Sequence, residues 1–407
     1  VDSPPSAPIS NTEELTRIRA AIAGIEQEEK EILESKHKIE EELKRGLDIS
    51  IINLVDYLIE FAQESRASDI HIDPGEKSLR IRLRIDGVLY DAFSFPREVK
   101  SEVVSRIKVL AGLRTDEHQM AQDGRFRSIF EDGNPIDIRV SIVPVYYGEN
   151  AVLRLLSDKS EEFTLDTLGF SDLDKTKILQ AIRRPYGMIL STGPTGSGKT
   201  TTLYTLIKIL NTKEVSIITI EDPIEYAVEG IDQIQVNPRT GLSFANGLRS
   251  ILRQDPDIIM AGEIRDPETA ALATNTSLTG HLLLSTLHTN DAATTLPRLL
   301  DMKIEPYLIA ATVNLAMGQR LVRKICPVCK EKKTINDSER KSLRGIFSGS
   351  LLESAKNFYH GKGCDKCGQS GYRGRLGIYE VMVVDETIRE AFLRRASASE
   401  IRQLAIS

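Results

Sequence analysis

Apolar and polar positions change rhythm several times along this chain, and each change marks a boundary. VDSPPSAPISN at 1–11 is rich in Pro and Ser and reads as a linker or tail. A charged stretch follows from about Glu13 to Arg45. In it Ile18, Ile22, Ile25, Ile32, Ile39 and Leu43 fall on alternating three- and four-residue steps, which predicts a helix with one apolar seam. Glu29 and Lys36 occupy the same seam, so a coiled coil here would be weak. The expectation for residues 1–47 is a linker whose helix docks on its neighbour, with a partner-binding coiled coil as the alternative.

From Asp48 the pattern is different. ISIINLVDYLIEFAQES has the spacing of an amphipathic helix, and LRIRLRIDGVLYDAF alternates about an Asp-Gly turn, the signature of a β-hairpin. EVVSRIKVLAG predicts a second helix. RFRSIFEDGNPIDIRVSIVPV predicts strands around a Gly-Asn-Pro turn, and AVLRLL closes a small α+β domain over 48–158. DKSEEFTLDTLGFSD reads as a polar linker. From about Ser171 the order becomes helix, strand, glycine-rich loop, helix, then strands alternating with helices. The strand candidates MILST, SIITI, DIIMAG and HLLLST are short apolar runs of the kind buried on both faces of a mostly parallel sheet. They define an α/β core over 159–305. A helical, cysteine-bearing region over 306–407 completes the chain, and no solenoid repeat is visible.

Composition narrows the class. With 407 residues the chain has room for two or three domains. A net charge of −6 argues against a chain built overall to bind nucleic acid or a membrane surface. The apolar runs are strand-length, too short to predict a transmembrane helix, and no signal peptide is visible. The four cysteines form two pairs and nothing more, which suits a reducing cytoplasm.

The candidate chemistry centres on GPTGSGKTT: Gly193, Pro194, Thr195, Gly196, Ser197, Gly198, Lys199, Thr200 and Thr201. It fits G-x-x-x-x-G-K-[ST], a loop whose glycines let backbone N–H groups close on phosphate oxygens. Lys199 would reach the β- and γ-phosphates, and the Thr200 hydroxyl would ligate Mg²⁺. YGMILST before the loop and TTLYTLIKIL after it supply the strand and helix that the motif requires.

Phosphoryl transfer to water also needs a metal site, a group that positions the water, and cations for the γ-phosphate. SIITI runs into Glu221, Asp222 and Glu225, acids placed for a metal, against the plainer reading of a capping turn. DIIMAG runs into Glu263, the candidate base. Gly262 stands before it, where many nucleotide hydrolases carry the Asp that touches Mg²⁺, so the metal could be held through water or by Glu221. HLLLST, which His281 precedes, runs into His288, a candidate γ-phosphate sensor. Arg239, Arg249, Arg253 and Arg265 lie in the same domain, and Arg125 and Arg139 in the small one. Any one of these arginines is more often a solvated surface residue than a catalytic one.

CPVC gives Cys326 and Cys329, and CDKC gives Cys364 and Cys367. Two C-x-x-C pairs offer four soft thiolates, which suits tetrahedral Zn²⁺ in a closed structural site. A dithiol redox pair and a site without metal are the alternatives.

Taken together, residues 50–400 resemble the ATPases of type II secretion and type IV pilus assembly. The carriers are GPTGSGKTT, ITIEDPIEY, LRQDPDIIMAGEIRD and TGHLLLSTLHTNDA in that order, with SDIHIDP and QDGR in the small domain. The resemblance implies an α/β, RecA-like P-loop core, a preceding PAS-like α+β domain and a C-terminal helical zinc module. It implies a cytoplasmic homo-hexamer, peripheral at the inner membrane, that hydrolyses ATP with Mg²⁺ to drive pseudopilin or pilin assembly through an inner-membrane platform protein. It assigns Lys199 and Thr200 to phosphate and metal, Glu221 near the metal, Glu263 as general base and His288 as sensor. Arg125 and Arg139 would complete the site. The tetracysteine module resembles assembly and export motors and not retraction motors. It further implies that residues 1–47 trail a larger N-terminal domain. A nucleic-acid-translocating ATPase is the alternative, disfavoured by net acidity and by 5 % aromatic residues without Trp. A zinc-dependent binding module with a regulatory ATP site is a third reading.

Overall fold

The computed structural model describes residues 11–130, 135–157, 163–344 and 357–406. The side chains of Ile18, Ile22 and Ile25 in the predicted seam lie outside the described residues, as do Gly133 and Asn134 of the predicted turn. Contacts divide the chain into two compact units, Val1–Asp158 with Arg323–Arg375, and Lys159–Val322 with Leu376–Ser407. Among the described residues no helix is long and apolar enough to cross a membrane.

In the first unit, α1 (Asn11–Lys44) and α2 (Ile51–Glu64) precede β1 (Ala67–Pro74), β2 (Ser78–Ile85) and β3 (Val88–Pro96). Then come α3 (Lys100–Leu110), β4 (Gln122–Ile129), β5 (Pro135–Val145) and β6 (Gly148–Ser157). The six strands form one sheet in the order β3-β2-β1-β6-β5-β4. The β2–β3 hairpin turns at Asp86 and Gly87, both at positive φ (49° and 85°), the two-residue geometry that Asp-Gly favours. Ile70, Ile72, Leu79, Ile81, Ile138, Val140 and Leu153 enter a core with Leu54, Leu58 and Ile59 of α2 and Val103 and Ile107 of α3. Arginines and aspartates hold the alternate positions, including the ion pairs Arg82–Asp73 (2.6 Å) and Arg154–Asp69 (3.1 Å). Ile39 of α1 is fully buried in the same core, with Ile32 and Leu43 packed against it. These three seam positions pack on the small domain's core.

The second unit starts with α4 (Leu165–Leu168) and α5 (Asp172–Ile182), followed by β7 (Gly187–Thr192) and α6 (Lys199–Leu210). Next are β8 (Ile217–Glu221), β9 (Asp232–Gln235), α7 (Phe244–Ile251), β10 (Ile258–Ala261), α8 (Pro267–Leu278) and β11 (Leu282–Leu287). α9 (Thr295–Asp301) and α10 (Pro306–Thr312) lead to β12 (Val313–Ile325). β13 (Lys330–Lys333), α11 (Asp337–Arg344) and β14 (Phe358–Gly361) fall in the Arg323–Arg375 segment of the first unit, and β15 (Tyr372–Val383), α12 (Glu386–Leu393) and α13 (Ala398–Ile406) follow in the chain. Seven strands make one sheet, β15-β12-β7-β11-β10-β8-β9. Each apolar run is split by the pleat. Met188, Leu190, Ile218, Ile220, Ile259 and Leu283 face one core, and Ile189, Ile217, Ile258, Met260 and Leu284 face the other. Burial on both faces is why these runs show no polar alternation.

Two expectations are refined. The polar linker is folded from Thr164 on: a capping box starts α4, and Phe170 is buried, stacked on Tyr379 at 3.6 Å between ring centroids. The region after Pro306 carries strands as well as helices, because the apolar first half of β12 is buried beside β7 in the central sheet.

Candidate active site and metal centre

The parallel register brings four strand ends to one edge of the sheet. Thr192 lies beside Leu287, and Ala261 beside both Ser285 and Ile220. The phosphate loop, Glu221, Glu263 and His288 follow these ends, the place where open α/β sheets bind ligands.

The loop joins β7 to α6. Gly193, Gly196 and Gly198 all adopt positive φ. A Cβ on Gly193 would stand 2.5 Å from the Gln319 carbonyl oxygen, so only glycine fits there. Pro194, Thr195 and Gly196 form the exposed tip, Thr200 and Thr201 are half-buried, and Ser197 and Lys199 are buried. The Lys199 ammonium donates to the carbonyls of Gly193 (2.9 Å) and Pro194 (3.0 Å), folded onto its own loop. Burial pushes its pKa below the usual lysine range; Glu263 opposes this and the Arg320 cation adds to it. Among the described residues, the Ser197 hydroxyl is buried without a hydrogen-bond partner. An orphaned hydroxyl and a desolvated ammonium at a helix N-terminus fit a bound phosphate and its metal shell.

Glu263 follows β10 and is 8 % exposed. Its Oε2 accepts from Arg265 Nε (2.5 Å) and lies 3.4 Å from His288 Nε2. The base candidate and the sensor candidate therefore meet directly. The loop after His288 is tied to the phosphate strand, since Thr289 N donates to Thr192 Oγ1 (2.9 Å). His281 instead lies against the Thr276 carbonyl (3.1 Å), at the start of the strand. Arg249 pairs with Glu268, and Arg253 donates to the Arg249 carbonyl (2.9 Å); neither contact involves the phosphate loop.

Glu221 is the last residue of β8. It is 2 % exposed, and its carboxylate accepts from the Tyr204 hydroxyl, from Thr219 Oγ1 (2.6 Å) and from Gln233 Nε2 (3.1 Å). Its side chain joins α6 to β8 and β9. Burial raises its pKa, against the pull of those three donors. Gly262 also has a physical reason. A Cβ there would lie 3.3 Å from the Ile220 carbonyl and 3.4 Å from Glu221 Cα, because β8 passes close behind. An aspartate would crowd that backbone.

Arg125 and Arg139 face each other in register across β4 and β5 of the first unit. Arg125 is exposed and Arg139 half-buried.

Cys326, Cys329, Cys364 and Cys367 converge, with all four sulfurs within 4.8 Å of one another. Three of the separations are 4.0, 3.9 and 3.7 Å. Tetrahedral Zn–S bonds of about 2.3 Å require sulfurs roughly 3.8 Å apart, so the set fits a four-thiolate metal site. Backbone N–H groups of Cys364 (3.3 Å) and Gly371 (3.2 Å) donate to Cys367 Sγ. Against the opposing effect of burial, these N–H groups and the neighbouring Cys364 and Cys329 thiols bring that thiol down to about 7, while burial pushes Cys364 up to about 12 and raises Cys329.

Sequence reading missed Gln319 and Arg320. Gln319 Nε2 donates to the Ser197 carbonyl (2.7 Å), and Arg320 Nη2 donates to the Asn290 carbonyl (3.1 Å), two residues past His288. Neither lies in a nucleotide motif; a Gln-Arg pair interrupting an apolar run was the available signal.

The profile of the type II/IV secretion system protein family matches residues 45–407. Type II secretion system protein E of Dickeya dadantii is 49 % identical over 344 residues, 84 % of this chain and 68 % of the relative. The type IV pilus assembly ATPase PilB of Myxococcus xanthus is 44 % identical over 373 residues, 92 % of this chain and 66 % of that protein. The chain thus spans about two thirds of the length of each. Among solved structures, the pilus retraction motor PilT with bound ADP aligns with TM-score 0.58 and 28 % identity, covering 85 % of this chain and 87 % of PilT.

Proposed function

The chain belongs to the type II/IV secretion system protein family, and we propose that it is a Mg²⁺-dependent ATPase driving pseudopilin or pilin assembly as a hexameric motor. The observation that carries the chemistry is the contact of Glu263 with His288 at the strand edge that bears the phosphate loop. Lys199 and the loop N–H groups hold the triphosphate, and Thr200 presents its hydroxyl to Mg²⁺. The bound metal would neutralise charge on the β- and γ-oxygens. Glu263 takes the proton of the attacking water. His288, resting on the same carboxylate, registers whether a γ-phosphate is present. Arg125 and Arg139 supply further positive charge to the site. Glu221 ties α6 to β8 and β9 beside the site, since its oxygens accept three hydrogen bonds.

The cysteine set holds Zn²⁺ as a closed structural site with no open position for chemistry. In this reading the motor works on the cytoplasmic side of the inner membrane, against a platform protein there. Relatives named for secretion and pilus assembly favour this reading over nucleic-acid translocation.

Glu263→Gln is the direct test. ATP and ADP should still bind, while turnover falls by about 10²–10⁴-fold, the usual share of a positioned base. Hydrolysis at the parent rate would remove Glu263 from that role.

A further inference from the structure

Gln319 lies in β12, outside every nucleotide motif, and is only 3 % exposed. Its amide has one reading. The Ser197 carbonyl can only accept, so Nε2 faces it (2.7 Å), and Oε1 accepts from Ser191 Oγ (3.0 Å). Its backbone oxygen closes the space beside Gly193, and its Nε2 would lie 3.3 Å from a Cβ on Gly198. One residue therefore packs against both ends of the phosphate loop.

Peptide planarity turns this packing into direction. In a trans peptide the C=O of one residue and the N–H of the next point to opposite sides. Holding the Ser197 carbonyl inward on Gln319 aims the Gly198 N–H outward, at the N-terminus of α6, where phosphate is bound. Without the donor, a buried carbonyl in a glycine-flanked peptide loses its partner. The Ser197–Gly198 plane is then free to rotate.

We infer that Gln319 is a positioning residue for the nucleotide: it sets the Ser197–Gly198 peptide so that the phosphate loop is ready before ligand arrives. The inference rests on the proposed nucleotide site, and the experiment separates the two.

The full chain is titrated with ADP and with a non-hydrolysable ATP analogue, and melting is followed in parallel. Parent protein that binds neither nucleotide would defeat the site assignment itself. If the parent binds, Gln319→Met should weaken both ligands about tenfold, what leaving one buried hydrogen bond unmade costs. Gln319→Glu should be as weak at pH 8 and recover affinity toward pH 5, because only the protonated acid can donate to Ser197. A residue that merely fills space would give no such pH profile. Affinities within twofold of the parent in both variants, with a lowered melting temperature, would overturn the inference. If either variant fails to fold, Ser191→Ala removes the group that orients Gln319. It should weaken ADP about threefold, with no further loss at pH 8 in combination with whichever Gln319 variant folds. Unchanged affinity in Ser191→Ala, or full additivity, would count against the inference.

Discussion

At the residue scale, the carboxylates of the site are sorted by what surrounds them. Glu263 is buried between an arginine and a histidine and stands at the ligand edge. Glu221 is buried among neutral donors, with its pKa raised by desolvation. A raised pKa means that the fold prefers the neutral acid. That contribution is complete below the ordinary carboxyl value of 4.5 and is lost as pH rises through the raised one. Glu221→Gln keeps the shape without the charge, so it should melt higher than the parent at pH 8. The margin should shrink as pH falls and vanish in acid. About 1 kcal/mol moves the midpoint of a domain this size by roughly 2–4 °C, so the shift is readable by calorimetry. A less stable Gln variant at pH 8 would mean that the three donors hold the charge and outweigh burial. Gly262→Asp is expected to lower the midpoint without raising turnover, since the β8 backbone 3.3 Å from the added Cβ must give way to it. Faster hydrolysis in that variant would show that the position still has room for a metal ligand.

At the scale of elements, the proposed zinc site would make metal and fold of the cysteine hairpin depend on each other. β13 and β14 are four residues each, and every residue of β13 is exposed. Such a pair has little core of its own, so a metal held by the four cysteines would add a tie to the ion pairs Lys366–Glu29 and Arg373–Glu28. Cys364→Ser should lower bound zinc from about one per chain to near none. It should also raise amide exchange at 326–333 and 358–371 more than elsewhere in the chain. Unchanged zinc content would remove Cys364 from the site. Legibility in the sequence followed the same logic of local against long-range forces. The Asp-Gly hairpin, the amphipathic α2 and the four apolar strands of the core were readable because their signals are local. The phosphate loop was readable because glycine and lysine spacing encodes its geometry directly. β9 (DQIQ) was not, since nothing in it marks a strand until Glu221 and Gln233 meet. Nor was Gln319, whose partners Ser191 and Ser197 are more than 120 residues away in sequence. Glu221 was found as an acid at a strand end, but its neighbours Tyr204 and Gln233, which decide what it does, lie on other elements.

At the scale of the whole molecule, the proposed machinery is divided between two folding units. Lys199, Glu263 and His288 belong to the second, and Arg125 and Arg139 to the first. A ring of identical subunits lets such a site draw on one chain or on two neighbours, and the two cases differ arithmetically. Each of Arg125→Ala and Glu263→Gln should be inactive alone. Co-expressed in one ring under cis action, every chain carries its own defect, and the mixture stays inactive. Under trans action, a site is intact when a chain with Glu263 stands beside a chain with Arg125. In a random ring that holds for about a quarter of interfaces, so activity should return toward roughly a quarter of the parent value. Arg139→Ala mixed with Glu263→Gln should follow the same course. Activity in Arg125→Ala alone would show that this arginine is a surface residue of the sheet. The remaining site would then consist of the phosphate loop, Glu263 and His288 within a single unit.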